Sequence, residues 1–414
     1  MEIIKAEVLA IGDELLYGQT LDTNSHFISG ELDKVGIKVV RRTTIGDKEE
    51  EILQALAEAE TRAHIVLITG GLGPTSDDLT KPCLAKYFNC EMQIHPEALE
   101  EVTAFFKQRG RELTELNRLQ ASLPVCCEKI TNTMGTAPGM WFERNGKVFM
   151  SMPGVPHEMK KMVTTQVIPK LLTKFKVPIL RHQIIRTAGI GESFLAEKIA
   201  PWEASLPPHI KLAYLPSEGG VKLRLTGIGE DEEPLQKDFK CLMEKIKPLA
   251  AEYIFDFSDN PLEVVVGEML RGKKLSLSLA ESCTGGYISH LITSVAGSSD
   301  YYKGSIIPYS NEIKINELGV NKETLTTNGA VSEQTVSEMA SLVRKKYNSS
   351  IGVATSGIAG PGGGTAEKPV GTIWIAYADA DKTETRKLQL AKNRMVNIKL
   401  TSTAVLNLIY KNIK

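Results

Sequence analysis

At 414 residues the chain is too long for one hydrophobic core and divides into two or three domains. Its 42% hydrophobic and 24% charged composition is that of a water-soluble globular protein, and a net charge of -1 offers no general attraction to nucleic acid or anionic lipid, so any phosphate must be recognised locally. The start lacks a secretory pattern and no apolar run reaches the length of a membrane span, which points to the cytoplasm. The cysteines at 83, 90, 126, 127, 241 and 283 form no CxxC pair and no regular framework, so reduced thiols are expected, and no zinc site is readable.

In chain order, the hydrophobic pattern predicts a strand over 3–11, a helix over 24–35, a strand over 38–42, a helix over 48–62 and a strand over 64–69. This alternation implies a doubly wound parallel sheet with helices on both faces, and such sheets bind ligands beyond the carboxyl ends of their strands. The first strand ends in Gly12-Asp13-Glu14, followed by Asn24, and the third ends in Gly70-Gly71-Leu72-Gly73-Pro74-Thr75-Ser76-Asp77-Asp78. Three glycines can turn N–H groups toward phosphate oxygens, and the carboxylates can hold a hard divalent cation. Asp77 and Asp78 are equally suited to capping a helix that begins near Leu79, but Asp13 and Glu14 at a second strand end favour a metal-assisted phosphate site. The pattern GxxxxGK[ST] is absent.

The middle of the chain has a different rhythm. A strand over 181–188, a helix over 192–200, a hairpin over 211–215 and 221–227, and an amphipathic helix over 230–247 predict a small α+β unit, with 253–261 as a linker.

Beyond the linker, the apolar run Leu275 to Leu279 leads into Ala280-Glu281-Ser282-Cys283-Thr284-Gly285-Gly286 and then a helical pattern from Tyr287. A hydroxyl at such a strand-turn-helix junction stands clear of the sheet, and the glycines admit a ligand to the helix N-terminus, so Ser282 is the candidate nucleophile. On the turn alone, the simpler alternative is that Ser and Thr are caps and the glycines turn formers. Serine attack on an amide needs a base; Lys314, in Tyr309-Ser310-Asn311-Glu312-Ile313-Lys314, would serve if a pocket desolvated it, and otherwise would pair with Glu312 or Glu317 on a helix surface. Gly329-Ala330-Val331-Ser332 and Thr355-Ser356-Gly357 can point backbone donors at a phosphate or oxyanion, or can simply be loops that glycine shapes.

The runs IGDELLYGQTLDTNS, TGGLGPTSDDLT, NRLQASLP, NTMGTAPGMW and MPGVPHEM, followed by AESCTGG, YSN, GAVSE, SGIAGP and KPVGT, resemble the CinA family of competence/damage-inducible proteins in order across nearly the whole chain. The resemblance implies three α/β domains: a molybdopterin-binding-like domain over 1–170 that hydrolyses ADP-ribose with a divalent metal, expected to be magnesium; a KH-like spacer over 171–252; and an amidase domain over 253–414 that deamidates nicotinamide mononucleotide without a cofactor. It implies catalysis by Ser282 rather than Cys283, Lys314 as base, Tyr309 orienting lysine or substrate, and Arg394 meeting the substrate. The substrate-binding positions it implies are Thr284, Gly285, Gly286, Asn311, Gly329, Ala330, Ser356, Gly357 and Arg394 in the C-terminal domain, and Asn24, Gly70, Gly71, Gly73 and Thr75 in the N-terminal one. The metal that it implies falls to the strand-end carboxylates already singled out, Asp13, Glu14, Asp77 and Asp78. The middle segment lacks a GXXG loop at Gly189-Ile190-Gly191-Glu192 and has mixed charge, so it is expected to form a cytoplasmic homodimer rather than to bind RNA. A non-catalytic nucleotide sensor or competence-associated binding protein is the alternative, and a molybdopterin-binding module a third.

Overall fold

The computed structural model describes residues 3–75 and 78–414. The chain separates into two units, Met1–Arg181 with Ile228–Glu232, and His182–Gly227 with Glu233–Lys414.

The first unit carries β1 (Lys5–Ile11), α1 (Thr23–Lys34), β2 (Lys38–Ile45), α2 (Glu49–Arg62), β3 (Ile65–Thr69), α3 (Thr80–Tyr87), β4 (Met92–Ile94), α4 (Pro96–Gln108), β5 (Ser122–Pro124), β6 (Glu128–Ile130), β7 (Gly139–Arg144) and β8 (Lys147–Met152). Its sheet runs β2-β1-β3-β8-β7-β6. The strands β2, β1 and β3 are parallel, as the alternation over 3–69 implies, β8 joins them in parallel, and β7 and β6 add an antiparallel edge. The two-residue link Asn145-Gly146, both with positive φ, turns β7 back into β8 as a tight hairpin that no crossover could provide. Helices cover both faces, which is why β3 is buried at every position. On one face Val8, Leu67 and Met150 pack with Ile28 and Leu32 of α1, and on the other Leu9, Ile68 and Phe149 pack with Leu56 of α2 and Leu84 of α3. Glu7 is the buried exception on β1, held by Arg62 Nε at 3.0 Å and Nη2 at 2.9 Å.

Cys90 and Cys126 form a disulfide with Cα atoms 6.1 Å apart, which corrects the expectation of six reduced thiols. Antiparallel pairing of β4 with β5, extended by the 2.9 Å bond from Val125 N to Glu91 O, sets the two side by side across 36 residues of chain. Cys83, Cys127, Cys241 and Cys283 are free.

The second unit holds most of a four-stranded sheet, β10-β11-β9-β12, made from β9 (Ile179–Thr187), β10 (Ile210–Ser217), β11 (Gly220–Gly229) and β12 (Ile254–Asp256), with α5 (Glu192–Glu203) and α6 (Glu232–Ala250); the part of β9 before His182, the part of β11 after Gly227 and Glu232 of α6 fall in the first unit. Strand β11 alternates buried and half-buried positions, as expected of a sheet covered on one face. Its last part holds α7 (Leu262–Gly272), β13 (Leu277–Glu281), α8 (Tyr287–Thr293), β14 (Tyr302–Ile306), α9 (Lys322–Asn328), α10 (Glu333–Lys346), β15 (Ile351–Gly357), β16 (Thr372–Ala378), β17 (Thr383–Gln389) and α11 (Arg394–Ile413). The sheet order is β14-β13-β15-β16-β17, with the first three strands parallel and the last two antiparallel. Small side chains at Ala280, Ala354 and Ala376 let α10 settle closely on one face, and a Cβ on Gly352 would lie 2.2 Å from Ala340 O. Larger residues such as Leu279, Val353 and Ile375 meet α7, α8 and α11 on the other. Among the described residues no helix is long and apolar enough to cross a membrane.

Candidate active site

Strand β13 delivers Ser282 at its carboxyl end, where Ser282 N donates to Thr355 O of the neighbouring β15 at 3.0 Å. The turn that follows uses two residues with positive φ, Gly285 at 59° and Gly286 at 96°, before α8 begins. Across the cavity, Lys314 stands at the junction of a short helix, Asn311–Ile313, with a π-helical turn, Lys314–Leu318. Ser310 caps that helix by accepting from Ile313 N at 3.2 Å.

Lys314 is 1% exposed and Ser282 7%. Nζ of Lys314 lies 3.1 Å from Ser282 Oγ, 2.8 Å from Pro308 O and 3.4 Å from Tyr309 O. Burial lowers the lysine pKa below its ordinary value, with the Cys283 thiol only partly opposing it. A neutral amine has two N–H donors and one lone pair. Two carbonyl oxygens for the donors leave the lone pair for the proton of Ser282. The Cys283 thiol is buried and its pKa is pushed up to about 12, so a thiolate there is disfavoured.

Ser282, Tyr309, Asn311, Lys314, Ala330, Ser356, Gly357 and Arg394 line one cavity of about 210 Å³. Arg394, the first residue of α11, donates through Nη2 to Tyr309 Oη at 2.7 Å and through Nη1 to Gly360 O at 2.9 Å. The exposed Tyr309 and Arg394 thus close one side of the mouth, and Ser356 Oγ fastens the facing loop by donating to Ala330 O at 2.6 Å. Four expected positions, Thr284, Gly285, Gly286 and Gly329, lie off the cavity wall. Thr284 is buried against Thr355, with hydroxyls 2.8 Å apart; Gly329 O accepts from Ser332 Oγ at 2.9 Å and Thr335 Oγ1 at 2.8 Å; and Gly286 N donates to Glu281 Oε2 at 3.1 Å. Gly285 N donates to Ser282 O at 3.2 Å, so the turn's N–H groups not engaged in this way are those of Cys283, which lines the cavity, and of Thr284, whose side chain is turned away toward Thr355. Glu281 is a residue the sequence reading quoted without giving it a part. An acid followed closely by a helical pattern was the available signal.

A second cavity, of about 260 Å³, lies at the carboxyl ends of β1, β2, β3 and β8 in the first unit. With the order β2-β1-β3, the crevice between β1 and β3 is the switch point where such sheets hold ligands. Asn24, Gly70, Gly71, Glu14 and Asp78 line it; Asp13, Gly73 and Thr75 do not, and Asp77 lies outside the described residues. A Cβ on Gly70, whose φ is 108°, would sit 2.1 Å from Ile11 O, so the close approach of the loop to β1 requires glycine. Asn24 Nδ2 donates to Thr69 Oγ1 at 3.0 Å and to Gly154 O at 2.8 Å, while its buried Oδ1 has no partner among the described residues. Asp78 Oδ2 accepts from Thr75 N at 3.0 Å and from Thr75 Oγ1 at 2.6 Å, so it closes its own loop, and the backbone at Leu79 leads into α3 with no side-chain cap. Asp47, beyond the end of β2, lines the cavity where Asp13 was expected; applying the strand-end rule to β2 would have found it.

Among the described residues no three His, Cys, Asp or Glu side chains gather into a ready cation site. The lining oxygens of Glu14, Asp47 and Asp78 and the unpartnered Asn24 Oδ1 nevertheless have the hard-donor chemistry of a magnesium-like ion that completes its shell with phosphate oxygens. Lys81, in the first turn of α3, was missed by sequence reasoning: it is 6% exposed, donates to Gln120 O at 2.8 Å and Gln120 Oε1 at 3.2 Å, and has its pKa lowered by burial to about 8.

Three family models match the chain: the probable molybdopterin binding domain over residues 7–173, the damage-inducible protein CinA KH domain over 182–255 and the CinA C-terminal domain over 259–413. A CinA-like protein of Cytophaga hutchinsonii is 52% identical over 411 residues, covering 99% of this chain and 98% of its own. The chain belongs to the CinA family. A second CinA-like protein, of Flavobacterium psychrophilum, is 45% identical over 412 residues and covers 99% of each chain. The likeness to CinA proteins therefore runs through all three matched segments and includes the two that carry the cavities.

Proposed function

We propose that the C-terminal cavity is an amidase site that deamidates nicotinamide mononucleotide to nicotinic acid mononucleotide. The observation that carries this reading is the 3.1 Å contact between Lys314 Nζ and Ser282 Oγ in a buried setting that favours the neutral amine. Ser282 Oγ attacks the carboxamide carbon while Lys314 takes the hydroxyl proton, and the negative oxygen of the tetrahedral intermediate is held by Cys283 N–H and Thr284 N–H. Lys314 then gives that proton to the departing ammonia. Water, deprotonated by the same lysine, releases the acid from the acyl-serine. Arg394, at the mouth, is placed to meet the phosphate of the substrate, and its bond to Tyr309 aims it there. The test is ammonia release from nicotinamide mononucleotide by the purified chain; no release, with ammonia also absent from other nicotinamide nucleotides, would overturn the reading.

For the N-terminal cavity we propose hydrolysis of ADP-ribose to AMP and ribose 5-phosphate, supported by the strand-end position and the unpartnered Asn24 Oδ1. Glu14, Asp47 and Asp78 are the residues that would hold a divalent cation, which when bound would neutralise diphosphate charge. Asn24 would offer its carbonyl oxygen to a ligand donor or to the ion, and the glycine at 70, which lets the loop approach β1 closely, would let backbone approach a diphosphate as well. A cytoplasmic homodimer joined through the KH-like segment is part of this proposal. AMP production with and without magnesium tests the activity, and a sedimentation measurement tests the dimer.

A further inference from the structure

We propose that Glu281 is a positioning residue for the Ser282 nucleophile and for the oxyanion donors next to it; this rests on the amidase reading of the site. Glu281 ends β13 and is 1% exposed. Its Oε2 accepts from Gly286 N at 3.1 Å and Ile288 N at 3.0 Å, and its Oε1 from Ser289 N at 2.8 Å and Ser289 Oγ at 2.6 Å. Tyr302 Oη in turn donates to Ser289 Oγ at 2.8 Å.

A carboxylate buried without a cation is costly unless hydrogen bonds compensate it, and here four donors, three of them backbone, do so. The arrangement has a geometric consequence. The side chain of the residue before the nucleophile reaches across the turn and seizes its far end. The near end is tied independently, by Ser282 N on Thr355 O at 3.0 Å. Between these two anchors lie only Ser282, Cys283, Thr284 and Gly285, so the direction of the Ser282 hydroxyl and of the Cys283 and Thr284 N–H groups is set from both sides. The turn leaves this stretch through the left-handed Gly285 and Gly286, whose missing side chains put little restraint of their own on the backbone. The N–H groups of Gly286, Ile288 and Ser289 are also taken from any substrate anion, which leaves the opposite wall, with Arg394, to receive it.

In Glu281→Gln the volume is kept, but one acceptor becomes an NH2 that faces backbone N–H donors, so the turn must shift. Ser289→Ala is gentler: it removes one of the four donors and leaves the three backbone bonds. The experiment compares the full chain and both variants by kcat and KM on nicotinamide mononucleotide, and by the rate at which a fluorophosphonate probe labels Ser282, read by mass spectrometry. The labelling needs no amidase substrate. Glu281→Gln should lower kcat by about 100-fold, in the range of a misplaced oxyanion donor, with KM little changed and labelling slowed in parallel. Ser289→Ala should lower both rates roughly three- to tenfold. A folded Glu281→Gln that labels at the wild-type rate overturns the proposal. If that variant fails to fold, an unchanged labelling rate in Ser289→Ala overturns it instead. Wild-type labelling without turnover of the nucleotide would remove the substrate assignment while leaving the labelling rates to judge Glu281; absence of labelling on wild-type Ser282 would remove nucleophile and proposal together.

Discussion

Lys314 Nζ stands 3.1 Å from Ser282 Oγ and 2.8 Å from Pro308 O. Because burial lowers the lysine pKa below its ordinary 10.5, the neutral base is populated at lower pH than on an exposed helix. The protonated lysine cannot accept from Ser282, so deamidation should fall as pH falls through the lowered value and level off above it. A rate profile measured at saturating substrate checks this; activity that rises on acidification would count against a lysine base.

Substitution separates the base from the charge. Lys314→Ala and Ser282→Ala should each reduce ammonia release by at least about 1000-fold, as loss of an activated nucleophile does. Lys314→Arg should be as inactive as Lys314→Ala, since a guanidinium keeps its proton. Partial rescue by arginine would assign Lys314 to charge stabilisation rather than proton transfer.

Cys283 provides the internal control. Its thiol is buried and pushed to about 12, so Cys283→Ala should retain most activity and lose only packing energy, on the order of 1 kcal/mol in melting experiments. A dead Cys283→Ala beside an active Ser282→Ala would move the site to thiol chemistry.

The parts legible in the sequence are those fixed over short distances. Alternating apolar residues followed by Ser282-Cys283-Thr284-Gly285-Gly286 specify strand, turn and helix, and the block ending at Lys314 specifies a helix opening. What brings Ser282 to Lys314 is β13 beside β14, a pairing that local pattern does not encode. The same holds for Cys90 and Cys126, joined only once β4 meets β5, and for Lys81, whose ammonium looks like a solvated helix charge until Gln120 is folded over it. Asp47 was missed for a different reason: one acid after a strand of mixed polarity, Lys38–Ile45, carries little signal. Glu281 was masked by the apolar run before it.

Lys81 supplies a stability prediction. Its folded pKa, about 8, is below the ordinary 10.5, so between these values the unfolded chain binds more protons and stability rises with pH. Below about pH 8 the folded state carries the whole cost of the buried ammonium, on the order of 3 kcal/mol relative to high pH. Lys81→Met removes this term, so wild type should gain on the variant as pH rises from about 7 to 10. A gap in Tm that stays constant over that range would show the lysine to be solvated.

Asp78 tests the N-terminal proposal, and its geometry demands a control. Its Oδ2 already accepts from Thr75 N and Thr75 Oγ1, so Asp78→Asn removes a negative charge and also disturbs the loop that follows β3. Thr75→Val disturbs the loop alone, because it deletes the 2.6 Å hydroxyl bond and leaves the carboxylate. If Asp78 helps hold a cation against a diphosphate, Asp78→Asn should lower magnesium-dependent AMP formation roughly 100-fold, abolish the rise in Tm that magnesium and ADP-ribose produce together, and leave deamidation unchanged in the other unit. Thr75→Val should lose less than about tenfold, the cost of one hydrogen bond. Equal losses in the two variants would assign Asp78 to loop closure and return the candidate ion to Glu14 and Asp47.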